Sequence, residues 1–215
     1  MNIRTPVHGS RRTAAFTMVE IAIAVAVIGF ALVAIIGVLP AGLQVQKENR
    51  QETLIGQDGA YLMEAIRNGA QGANDLANYV DRIQVGLDNK VYTTFNNGAE
   101  VIGLLSTPGS LAVPCTNIAI IRAISGSLAD KRPEAIDLAF RYQLRVQILP
   151  FDPVPVDPAA AAMTSAKLNE VRLSFFWPVL PNGKLGNGYQ VLRTLISGDF
   201  LIRSNGATPY FFLRP

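Results

Sequence analysis

The chain has 215 residues, with 19 Lys and Arg against 16 Asp and Glu, one His and one Cys. A single His and a single Cys exclude a Cys/His metal cluster, a Ser-His-Asp or Cys-His catalytic constellation and an internal disulfide. The net charge of +3 comes from Arg4, Arg11 and Arg12; the remaining sixteen basic residues balance sixteen acids, which argues against a nucleic-acid-binding domain.

Residues 1–15 are polar and basic, carry Pro6 and Gly9, and predict no stable structure. His8 lies in this leader and reads as a solvated side chain. The arginines precede an uncharged apolar run from Ile21 to Leu39, so the N-terminus is expected to stay in the cytoplasm. From Phe16 to Leu39 a helix spans about 35 Å, enough for the hydrocarbon core of a bilayer with some tilt. A secretory signal would have a shorter apolar stretch with its small-residue cleavage site behind it. Here the small pair Ala14-Ala15 stands in front, and a cut there would leave the apolar helix on the mature chain.

Pro40 and Gly42 predict a kink or short break. Beyond them Leu54, Ile55, Leu62 and Ile66 recur at helical spacing, and Arg67 followed by Asn68-Gly69 marks a helix end. Residues 69–78 read as a loop. Val80–Val85 and Val91–Phe95 flank a turn, Gly86 to Lys90, and predict a hairpin. Ile118–Ile124 is short and β-branched, so strand and buried helix both fit. In 140–148, Phe140, Tyr142, Leu144, Val146 and Ile148 alternate with Arg141, Gln143, Arg145 and Gln147, the mark of an antiparallel sheet with one buried and one solvated face. Residues 150–158 are proline-rich and extended, and Asp157-Pro158 before four alanines could open a short helix. Val171–Trp177 and Tyr189–Ile196 are two further strands, joined by a turn-rich connection over 181–188. Trp177 and Tyr210-Phe211-Phe212 read as core or edge packing, and Cys115 as a buried thiol. The expected fold class is α+β: a long N-terminal helix, half in a membrane, whose soluble half lies on an antiparallel sheet.

No Gly-rich phosphate loop follows a strand and opens a helix. The acidic pairs Asp75/Asp81 and Asp130/Glu134 fall in expected loops without an apolar setting to separate their pKa values, so they read as solvated surface acids. The expectation is that the chain is not an enzyme and carries no cofactor or metal.

Glu20 is the informative oddity. A charged side chain deep in a bilayer costs about 2.5–3.5 kcal/mol, and less near the end of a span where it can snorkel. One reading is therefore an interfacial Glu in a first helical turn, where the helix dipole favours negative charge. If the chain is cut between Ala15 and Phe16, however, a new α-amino group lies four residues before Glu20. That amine could partly compensate Glu20 in the same chain, or meet the Glu20 of a staggered neighbour and set axial register.

Ala15-Phe16-Thr17-Met18-Val19-Glu20 with the following apolar run resembles the N-terminal signal of type IV prepilins and of the pseudopilins of type II secretion. The resemblance implies cleavage by a prepilin peptidase after Ala15, N-methylation of Phe16, and Glu20 as the carboxylate used in assembly. One residue departs: the family usually has Gly before the cut, where this chain has Ala15. It also implies a pilin-like fold, with residues 1–15 as leader, 16–39 as transmembrane and filament-core helix, and 40–215 as extracytoplasmic domain. The expected protein is a single-pass inner-membrane precursor, N-terminus cytoplasmic and C-terminal domain periplasmic or extracellular. Its partners would be the peptidase, the inner membrane and other subunits met through the N-terminal helix. Assembly would be into a type II secretion pseudopilus or a type IV pilus, as a minor component. Some pseudopilins use a C-terminal calcium loop, but residues 181–188 contain no carboxylate, so no metal is expected there. The rival reading is a bitopic inner-membrane protein with an exported β-rich binding domain.

Overall fold

A computed structural model describes residues 16–109, 115–125, 140–151, 168–205 and 208–214. The leader with Ala15, the Asp130/Glu134 pair and the helix expected after Asp157 lie outside them. The chain divides into two compact units, Met1–Asn49 and Arg50–Pro215.

Helix α1 runs over Met18–Arg67 and contributes to both units. The helix continues through Pro40 and Gly42, so of the kink or short break expected there the break does not occur. Pro40 has no N–H to give the Ile36 carbonyl, and the bonds on either side carry the helix on. The division between the two units falls within α1. Leu43 and Val45 are still more than half exposed, and burial begins at Leu54 and Ile55.

Within the second unit, Leu54, Ile55, Asp58, Gly59, Leu62, Ala65 and Ile66 of α1 are buried, the i, i+3, i+4 stripe that the sequence predicts. The helix ends in a Schellman motif. The Ala70 N–H bonds to the Ala65 carbonyl at 2.8 Å, the Gly69 N–H to the Ile66 carbonyl at 3.4 Å, and Gly69 adopts φ 61°. A 3-10 turn, Asn74–Asn78, occupies the loop that follows.

Next come β1 (Val80–Gln84), β2 (Val91–Tyr92), α2 (Gly98–Leu105), β3 (Asn117–Arg122), β4 (Arg141–Pro150), β5 (Leu168–Val179) and β6 (Leu185–Ser197). The strands form one antiparallel sheet in the order β2-β1-β3-β4-β5-β6. Two more strands, β7 (Asp199–Asn205) and β8 (Thr208–Arg214), pair as a separate hairpin. The β1–β2 hairpin forms as expected but its second strand is only two residues long. Of Ile118–Ile124, residues 118–122 resolve as strand, within β3. β4 buries Tyr142, Leu144, Val146 and Ile148 and turns the residues between them outward, as the alternation requires. β5 and β6 are both longer than expected. β5 passes Trp177 and Pro178 to reach Val179, and β6 takes in residues 185–188, leaving a tight turn at 180–184.

The core fills the face of the sheet that meets α1 and α2: Ile83, Ile121, Tyr142, Leu144, Leu173 and Phe175 from the strands, Leu62 and Ile66 from α1, Ile102 and Leu105 from α2. Trp177 and Phe212 lie in the same cluster, as the core reading of the aromatics predicts.

Helix α2 and the strand β7 are missing from the sequence reading. Asn97 caps α2, its side chain accepting from the Glu100 N–H at 3.0 Å, while Glu100 accepts from the Asn96 N–H at 2.9 Å. At the other end, buried Asn117 donates from Nδ2 to the Leu105 and Thr107 carbonyls, both at 2.9 Å. Its Oδ1 accepts from the Gly86 N–H at 3.1 Å and from Cys115 Sγ at 3.4 Å. Cys115 is buried, as expected, and that burial pushes its thiol up from the ordinary value.

Candidate functional site

The first turn of α1 holds Glu20. Thr17 stands just before the helix, and the two residues satisfy each other. The Thr17 N–H donates to Glu20 Oε2 at 2.9 Å, the Thr17 hydroxyl donates to the same oxygen at 2.9 Å, and the Glu20 N–H donates to Thr17 Oγ1 at 3.2 Å. This is a capping box, in which an N-cap Thr and the Glu three residues on quench each other's orphan N–H groups. The spacing Thr-x-x-Glu before an apolar run was legible in the sequence, yet Thr17 was not singled out. Within its own chain, Glu20 therefore has partners other than an α-amino group. Phe16, the residue after the expected cut, is 81% exposed at the head of the helix.

Behind this turn the helix surface is apolar on every side, and its side chains are exposed among the described residues. Its most apolar 18-residue window has a mean hydropathy of 3.0 and is 0% buried. Met18, Val25, Phe30, Val33, Ile36 and Val38 are each at least 60% exposed. A helix hydrophobic all round requires an apolar surrounding, either lipid or other helices. By length and composition it can cross a membrane. Gly29, Gly37 and Gly42 have open space where a Cβ would stand, so nothing among the described residues requires their smallness.

A second carboxylate, Asp58, was not anticipated. It is fully buried on α1, where Oδ1 accepts from the Ser125 N–H at 2.9 Å and Oδ2 from the Ile124 N–H at 2.9 Å and the Tyr142 hydroxyl at 3.1 Å. It ties the residues after β3 and the start of β4 to the helix. Burial, with the Asp58 carboxylate beside it, pushes the Tyr142 phenol well above its ordinary value. An Asp among Gln and Gly in a soluble amphipathic segment gives little sign of burial, because its partners are distant in sequence.

The described members of the acidic pairs, Asp75 and Asp81, take separate places. Asp75 sits in the 3-10 turn. Asp81 lies on β1 rather than in the expected loop, at a register shift between Val80 and Arg82. There it bridges Arg122 at 3.2 Å and Arg141 at 3.3 Å. The face that carries the alternating arginines is thus partly covered rather than simply wet: Arg141 meets Asp81, and the Arg145 guanidinium lies 4.5 Å from the Phe176 ring centroid. A cavity of about 460 Å³ opens beside the end of α1; its charged lining residues are Arg203 and Arg214, and no carboxylate lines it. Among the described residues, no group of three His, Cys, Asp or Glu is placed to hold a metal ion.

Comparison with protein-family models, with curated proteins and with solved structures finds no match to this chain.

Proposed function

We propose that the chain is a prepilin-like filament subunit of a type II secretion pseudopilus or a type IV pilus. In this reading a prepilin peptidase cuts it between Ala15 and Phe16, Phe16 is N-methylated, and the helix then leaves the membrane to pack against other subunits. One observation carries the proposal: the whole N-terminal half of α1 is apolar on every side and unburied, with a single carboxylate in its first turn. Such a surface is stable both in lipid and within a bundle of like helices. The open glycines allow close helix approach in such a bundle. Glu20 then sets axial register by meeting the amine of a neighbouring Phe16. The function is assembly, not catalysis.

The capping box favours the second reading. If Glu20 does no more than cap its own helix, the chain is a bitopic inner-membrane protein with an exported β-rich binding domain.

Two measurements separate the readings. Mass analysis of the membrane-extracted chain is expected to find an N-terminus at methylated Phe16; an intact Met1 overturns the filament reading. Replacing Glu20 by Gln keeps an oxygen that can accept from Thr17 but removes the charge. The filament reading expects Glu20→Gln and Glu20→Ala to insert normally and both to drop out of filaments. If Glu20→Gln assembles like the native chain, the charge has no role in register.

A further inference from the structure

The two edges of the six-stranded sheet are unlike. One is β2, two residues long, and a very short edge strand is a common device against pairing with other chains. The other is β6, thirteen residues long, and among the described residues no strand pairs with its outer side. β6 contains no proline, and Arg193 is its one charged residue. The usual safeguards of an edge strand are therefore nearly absent.

From residue 187 on, beyond a register shift against β5 near Leu185, the side chains of β6 alternate. Leu192 and Ile196 face the core, while Asn187, Tyr189, Arg193 and Leu195 are exposed on the outer face. On that face an aromatic row crosses the sheet. Arg145 lies over Phe176, whose ring centroid is 4.9 Å from that of Tyr189, and the row stops at Tyr189, 59% exposed on the last strand.

We infer that β6 is a strand-addition site and that its occupant is β6 of a second copy, paired antiparallel about a two-fold axis through Val191. Val191 is the middle of the thirteen residues Leu185–Ser197. The two-fold register that pairs the full strand therefore sets Val191 opposite itself, Tyr189 opposite Arg193 and Asn187 opposite Leu195. Each copy's Arg193 then lies against the other's Tyr189 and extends the row begun by Arg145 and Phe176. The like charges of the two Arg193 side chains do not face each other. A shift of one residue would set outer-face residues of one copy against core-face residues of the other, so the pleat itself selects the register. The inference concerns the Arg50–Pro215 unit, goes beyond the filament proposal and does not depend on Glu20.

The test uses the full-length chain in detergent, with Cys115 replaced by Ser. Facing Cβ atoms in such a pair stand about 4.5–5.5 Å apart, so a short bismaleimide is the suitable probe. Val191→Cys is expected to cross-link into a covalent dimer of this chain. A mixture of Tyr189→Cys and Arg193→Cys copies is expected to cross-link to each other, and Tyr189→Cys alone is not. Val191→Lys sets like charges across the axis and is expected to abolish the dimer while leaving thermal unfolding of the native kind. Three results overturn the inference: Val191→Cys that reacts with a monofunctional maleimide yet stays monomeric, its capture of a different protein, or Tyr189→Cys that cross-links to itself as fully as the mixture does.

Discussion

At the scale of single residues, the two acids of α1 that matter do different work. Glu20 is paired with its nearest neighbours, Thr17 above all, in contacts that sequence spacing alone defines. Asp58 is paired with groups 66, 67 and 84 residues away. That contrast explains what could be read. Glu20 stood out because an apolar run surrounds it, whereas Asp58 sits in a polar stretch and its importance comes only from the fold. Removing Asp58 leaves two backbone N–H groups and a phenol unsatisfied in the core. Asp58→Ala is expected to cost about 3 kcal/mol of stability. Asp58→Asn, which keeps one acceptor oxygen, is expected to lose less. Denaturant unfolding of the detergent-solubilised chain measures both, and equal losses would mean that the one oxygen Asn retains stabilises nothing on its own.

At the scale of elements, the strands with strict alternation were legible and the short elements were not. β4 could be read because its faces differ at every step from Tyr142 to Ile148. α2 could not be read from periodicity, since six of its eight residues are buried and no polar face remains to set the phase. Its start signal was present all the same: Asn97 followed three residues later by Glu100. The hydrogen bonds Glu100 receives from the Asn96 side chain and backbone hold its carboxyl below the ordinary value. α2 is wedged in place by its glycines. A Cβ on Gly98 would overlap the Ala73 carbonyl oxygen, and one on Gly103 would stand 2.8 Å from Tyr210 Cβ. Gly98→Ala is therefore expected to destabilise by about 3 kcal/mol, although Ala is the better helix former. Thermal unfolding decides the sign: a gain in stability would show that intrinsic propensity outweighs the clash.

At the scale of the whole molecule, the division between Asn49 and Arg50 separates a segment that buries nothing of its own helix surface from one with a continuous core. The sequence showed the apolar segment plainly, because composition alone marks it. The exposed stretch runs on past Pro40 to Val45. Residues 50–215 are expected to be soluble without detergent and to unfold in one cooperative transition; aggregation or a gradual melt would show that the core needs the preceding helix.

The inequality of the sheet's two edges has a consequence for growth. A chain offering two good edges can add copies at both and has no reason to stop, which is how fibres form. Here β2 is two residues long, and β6 is thirteen. Within the six-stranded sheet, strand addition can extend each copy once and then runs out of edge. Pairing through β6 is self-limiting: it yields pairs, and any longer order has to come from another part of the chain.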